Sequence, residues 1–235
     1  MASFPIHRVK RLDLRVTPWR WPFADARRLA IDAHFARLQR TTPQLWNGRI
    51  LLGRDPRFTD DTFRAEYFET DFASFLAWRD WGFPDASVFN GFGMGALRSR
   101  DGAYVLGEMA AHTANAGKIY FPAGTPDLDD VRDGTVDIAG SVTREVAEET
   151  GLTGADYRVA DDWDCVVAGP LIALMRGLQA DLDGEALRQR IEANLAKQST
   201  PELAAIHLMR CKRDITAAVP PYMAAFLGAR LPVAV

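Results

Sequence analysis

The chain has 235 residues, of which 48% are hydrophobic and 25% charged, and its formal net charge is −3. That length can bury an ample core, and the composition is ordinary globular usage, which argues against a disordered or coiled-coil protein. Lys and Arg are spread along the chain with no basic patch to attract a phosphate polymer, so nucleic acid is set aside as a partner. Cys165 and Cys211 are too few for a disulfide framework and lack the close spacing of a zinc knuckle. The N-terminal sequence carries no uninterrupted apolar run, and no later stretch approaches the roughly 18 apolar residues that span a bilayer. The expectation is a cytoplasmic protein.

In chain order, "HRVKRLDLRVTPW" alternates apolar and charged residues and predicts a half-exposed strand. "FADARRLAIDAHFARLQRTTP" sets Ile31, His34, Phe35 and Leu38 on one face at helical spacing and ends before Pro43. "GRILLGRDPRF" and "TFRAEYFETDF" predict a strand pair turning at Asp60 and Asp61, followed by a short helix, "FASFLAWRDWG", stopped by Gly82 and Pro84. "SVFNGFGMGALRSRDGAYVLGEM" alternates small and apolar residues across Asp101-Gly102, the pattern of a hairpin. "DYRVADDWDCVVAGPLIALMRGLQ" predicts two more strands, "GEALRQRIEANLAKQ" an amphipathic helix after Asp183, and "PPYMAAFLGARL" a last helix opened by proline. Helices mixed with strands that are partly joined by hairpins predict an α+β domain with a mixed sheet.

Between these lies "FPAGTPDLDDVRDGTVDIAGSVTREVAEETGL", residues 121–152, dense in acidic groups. At about 100° per residue, Glu145, Glu148 and Glu149 fall within an arc of roughly 100°. Ala139, Val142 and Val146 form an adjacent apolar stripe, which predicts an acidic face lying along the edge of the buried one, and Gly151 is placed to close the helix. Such crowding either faces open water or holds a cation. The order Arg-Glu-apolar-any-Glu-Glu-any-Gly-apolar in "REVAEETGL" fills every specified position of the second half of the Nudix box. A chance match in a chain this long is on the order of a few in 10⁵. The chain therefore resembles a Nudix hydrolase.

The resemblance implies an α/β/α sandwich over residues 87–235, with residues 1–86 as an N-terminal extension packed on it. It implies hydrolysis of a pyrophosphate bond with Mg²⁺, or alternatively Mn²⁺, as cofactor. Glu145, Glu148 and Glu149 are the implied metal ligands, joined by the carbonyl of Ala123, with Arg144 holding Glu145 and Glu145 also helping to activate water. "FPAG" stands where many members have Phe-Pro-Gly-Gly. The first half of the box departs from the pattern: counted forward from Gly124, Arg144 arrives six residues late, and counted back from Arg144 the expected Glu falls on Val136. Asp133 and Asp137 are alternative ligands there, or turn and cap residues, the reading preferred.

Outside the box, Pro43, Trp46, Asn47 and Gly48 are weakly similar to the leading region of Nudix proteins linked to nucleoside-diphosphate sugars. Trp46 and Asn47 are thus candidate substrate contacts, with Trp46 and Phe68 as core or interface residues the alternative. Arg98 and Lys118 are candidate phosphate contacts or plain surface charges. Glu202 is the candidate carboxylate from beyond the box, or else an acid in the first turn of a helix after Pro201. The histidines show no ligand spacing. The substrate implied is a nucleoside diphosphate joined to another moiety, an activated sugar being favoured. A coenzyme A or dinucleotide pyrophosphatase, and a nucleotide-binding module that cleaves nothing, stay open. Two Trp-rich stretches in the N-terminal region leave room for a homodimer.

Overall fold

The computed structural model describes residues 4–233. The first predicted strand is two: β1 (Ile6–Val9) and β2 (Arg11–Val16). The chain bends at Lys10, whose N–H, like that of Arg11, is taken by the carbonyl of Asp61, and there it changes partners. Next come α1 (Pro22–Ala26), α2 (Arg28–Thr41), the strand pair β3 (Arg49–Thr59) and β4 (Thr62–Asp71), and α3 (Phe72–Asp80). Asp60 takes a positive φ of 51° in the predicted turn, and the carboxylate of Asp71 caps α3 through the Ser74 N–H at 2.8 Å. Trp21, Ile31, Phe35, Phe68 and Trp78 join α2 and α3 to the sheet in an apolar cluster of their own.

The remaining strands are β5 (Val88–Arg98), β6 (Tyr104–Met109), β7 (Ile119–Tyr120), β8 (Ala123–Gly124), β9 (Val131–Arg132), β10 (Thr135–Val136), β11 (Tyr157–Ala168), β12 (Leu171–Ala180) and β13 (Leu203–Met209). Among them lie α4 (Ile138–Thr150), α5 (Gly184–Leu195) and α6 (Pro221–Arg230). One mixed sheet runs in the order β1-β11-β12-β5-β3-β4-β2-β10-β9, with β6, β7, β8 and β13 branching from it. β1 pairs with β11 and β3 with β5, so strands from both sides of residue 87 share this sheet. The expected hairpin at Asp101-Gly102 turns as predicted, Gly102 having a φ of 89°. Its strands then part after the single pair Arg98–Tyr104: β6 pairs with β13, and β5 lies parallel to β12.

β5 is buried along its length except at Arg98, and its alternation sets the layers. A Cβ on Gly93 would lie 2.7 Å from Val142 Cγ2, and one on Gly95 would lie 2.5 Å from Val146 Cγ2, so the missing side chains are what let α4 sit against the strand. On the opposite face Phe92 meets Tyr222 of α6 edge-on at 5.7 Å. The fold is α+β, with helices on both faces of a mixed sheet. Among the described residues no helix is long and apolar enough to cross a membrane.

Candidate active site on the acidic helix

α4 begins at Asp137, whose carboxylate accepts the Gly140 N–H at 2.9 Å, and ends at Gly151 in the left-handed conformation, φ 74°. Its buried stripe differs from the expected one. Ile138, Val142 and Val146 face the core while Ala139 faces solvent, and Glu149, expected beside the apolar stripe, is itself buried at 5% exposure. The cause is the short β8 segment, which runs antiparallel to β5 at Gly93–Gly124 and Met94–Ala123 and covers this turn of the helix. The three glutamates consequently differ: Glu148 is exposed, Glu145 half-buried and Glu149 enclosed.

Glu149 accepts the Ala123 N–H at 3.3 Å. The Glu145 carboxylate lies over Gly124, where a Cβ would come within 2.3 Å of Oε1; at this position a side chain would displace the carboxylate. Arg144 donates to Glu145 at 2.8 Å and stands 3.7 Å from Glu148. Burial pushes Glu145 up to about 7, the charges of Glu148, Glu202 and Asp130 adding to it and Arg144 opposing it. Burial likewise pushes Glu149 up to about 8, reinforced by Glu145 and opposed by the Ala123 N–H. Among the described residues no three His, Cys, Asp or Glu side chains converge tightly enough to hold an ion as they stand, since Glu145 is turned to its arginine.

Sequence reasoning missed Asp130. Its carboxylate is 4% exposed and accepts from Arg144 Nη2 at 3.0 and 3.2 Å, and its second oxygen also takes the Asp127 N–H at 3.1 Å. Desolvation lowers the proton affinity of Arg144, but the hydrogen bond to Asp130 and the charges of Glu145, Asp130 and Glu148 together raise it above its ordinary value. The signal was available: Asp130 follows Gly124 after five residues, where the box pattern has its first Glu. The surplus lies after Asp130, in β9 and β10, which turn at Asp133 (φ 50°) and Gly134 (φ 73°), the two positive values of a tight mirror-image turn. The excursion closes where the Asp137 N–H donates to the Asp130 carbonyl at 2.8 Å. Val136, the position reached by counting back, is buried in the core. Asp133 and Asp137 are the turn and cap residues preferred from sequence.

The remaining candidates lie as follows. Glu202 is exposed and close enough for its charge to bear on both Glu145 and Glu149. It does not open a helix: the segment after it is β13, and its carbonyl accepts the Ala110 N–H in the sheet. Lys118 lines a cavity of about 380 Å³ together with Ala123 and Gly124. Arg98 is elsewhere, over the Tyr104 ring in a separate cleft with Arg8, Arg158 and Arg230. Asn47 accepts the Ala73 N–H at 2.8 Å, supporting the start of α3, and Trp46 is 79% exposed, its ring folded over Gly48.

No family model matches the chain, and no curated protein matches it. Solved structures similar to it include a Nudix hydrolase from M. smegmatis, RenU, at 16% identity and a TM-score of 0.39, covering 63% of this chain and 92% of that one. The MutT protein from Methanosarcina mazei Go1 is 18% identical at a TM-score of 0.39, covering 60% and 91%. The complex of the C-terminal domain of mouse MUTYH with human PCNA gives 13%, 0.37, 62% and 93%. The structural neighbours thus include Nudix hydrolases. At such TM-scores the chemistry rests on the site's own residues.

Proposed function

We propose that the chain is a divalent-cation-dependent hydrolase that cleaves the pyrophosphate bond of a nucleoside diphosphate joined to another moiety, an activated sugar being favoured. The observation that supports this most is the pair of carboxylates, half-buried Glu145 and enclosed Glu149, held on one helical turn against the backbone of Ala123 and Gly124. Their donor set is all oxygen, which suits a hard cation such as Mg²⁺ or Mn²⁺, and such an ion would offset the burial and the neighbouring carboxylates that raise their proton affinity. Glu145, Glu148, Glu149 and the Ala123 carbonyl would hold it. Bound there, the ion supplies charge neutralisation for a pyrophosphate and lowers the pKa of a water molecule.

The chain's own residues do the rest. Arg144, itself fixed by Asp130, orients Glu145 by a charge-assisted hydrogen bond. Glu145 helps to activate the water, and Glu202, exposed beside the cluster, takes up its proton as the water oxygen bonds to one phosphorus and the bridging P–O bond breaks, the other phosphate leaving as a monoester. Lys118, which lines the cavity beside Ala123 and Gly124, meets the phosphates. Against the reading as a binding module that cleaves nothing, Val136 no longer counts as a lost acid, because Asp130 occupies the position five residues beyond Gly124. A panel of nucleoside-diphosphate compounds assayed for released phosphate monoesters tests the proposal. Turnover of at least one compound should depend on Mg²⁺ and disappear in Glu148→Gln and Glu149→Gln. Full activity in both variants would refute the assignment.

A further inference from the structure

The glutamate cluster accounts for a pyrophosphate but not for what the pyrophosphate carries. Ala123 and Gly124, which touch Glu149 and Glu145, also form one wall of the cavity of about 380 Å³. Its other walls come from distant parts of the chain: Phe72 and Phe75 of α3, Asn90 and Phe92 of β5, and Tyr222 of α6. Phe92 and Tyr222 meet edge-on, so the lining offers flat apolar surfaces. Polar side chains interrupt them: Arg79, Asn115, Lys118 and Thr125 also line the cavity, and Asn90 stands apart from these by its unmet hydrogen bond. Asn90 is 5% exposed, its Nδ2 donates to Thr125 Oγ1 at 3.3 Å, and its Oδ1 has no partner among the described residues. Exchanging the amide oxygen and nitrogen would not remove the deficit, because Thr125 serves only one of the two atoms. A buried amide left half-paired is costly unless something else completes it.

Aromatic walls set beside a buried, half-paired amide match a group with two flat faces and a polar edge. A sugar ring has no planar face to lie against aromatic walls, and a flexible acyl or thiol arm has none either. We propose that this cavity takes the nucleobase of the substrate and that Asn90 is its specificity-determining residue, pairing with the base edge. The inference rests on the hydrolase reading for the direction of the substrate, whose diphosphate leads past Ala123 and Gly124 to Glu145 and Glu149. It gives the N-terminal region a task as well, because α3 supplies part of the base wall.

The test is equilibrium binding, by calorimetry in Mg²⁺, of adenosine, guanosine, cytidine and uridine monophosphates, which lack a pyrophosphate bond, and of ribose 5-phosphate, which lacks the base. At least one nucleotide should bind tenfold or more tightly than ribose 5-phosphate. Asn90→Leu should weaken that nucleotide by roughly tenfold, the scale of one lost hydrogen bond, and leave ribose 5-phosphate unchanged. If the melting curve shows that Asn90→Leu is not folded, Tyr222→Leu should give the same selective loss. Nucleotides binding no better than ribose 5-phosphate, or unchanged by the folded variant, would overturn the base site even if the panel shows hydrolysis. Selective nucleotide binding without turnover of any panel compound would leave the base site standing and remove the hydrolase reading.

Discussion

The two halves of the acidic segment differ in what holds them. Residues 137–152 form one helix with its own cap and stop, and its side-chain directions follow from local periodicity. Residues 121–136, apart from the β9–β10 turn and the local Asp127–Asp130 contact, have no such autonomy. β8 lies on β5, β10 pairs with β2 at Thr135–Arg15, and Asp130 reaches Arg144 across 14 positions. The helix supplies the glutamates, and the irregular half buries two of them and fixes their arginine. Local pattern thus provides the chemical groups, and non-local pairing provides their environment.

The comparison breaks most sharply at Glu149. Glu149→Gln should cost turnover about 10³-fold, the scale of losing one electrostatic group in a catalytic site. The same variant should melt higher than the parent in metal-free buffer at pH 8, since it removes an acid that burial disfavours in its charged form. In the irregular half, Asp130→Asn should reduce turnover by about 10- to 100-fold through misplaced Glu145. It should also cost about 2 kcal/mol in urea unfolding, less than a fully enclosed pair, because Arg144 keeps 37% of its side-chain surface in water.

A pH series sharpens the contrast further. Glu145 and Glu149 bind protons more tightly in the folded protein, at about 7 and about 8, than at the ordinary 4.5. Between 4.5 and 8 the folded state therefore holds more protons than the unfolded one, so metal-free stability should fall as pH rises through that window. Added Mg²⁺ should raise the melting temperature most at the alkaline end. The smallest effect belongs to the β9–β10 excursion. Deleting residues 131–136 joins Asp130 to Asp137, already hydrogen-bonded to each other, and leaves seven residues before Arg144. Turnover should remain within about tenfold of the parent, since the deletion leaves every proposed catalytic group and the Arg144–Asp130 pair in place.

Much of this was legible in the sequence. The strand pair at Asp60, the helix stops at Gly82 and Gly151 and the proline-led last helix all depend on residues adjacent in the chain. The parting of β5 from β6 was not legible, because it depends on which strand outcompetes the hairpin partner, and β12 and β13 lie about 80 and 100 residues away. The helix expected at Glu202 failed for a similar reason. Thr200-Pro201-Glu202 has the local signature of a helix start, but the following residues complete the edge of β6. Asp130 was hidden for a different cause: counting back from Arg144 passed through an excursion whose Asp-Gly turn was itself readable.

The central claim is that a divalent cation binds the turn bearing Glu145, Glu148 and Glu149, and crystals soaked in MnCl₂ test it directly. The account predicts an anomalous density peak among those three carboxylates, with Glu145 swung from Arg144 toward the ion. Anomalous maps with no peak there, and the glutamates unmoved, would contradict it.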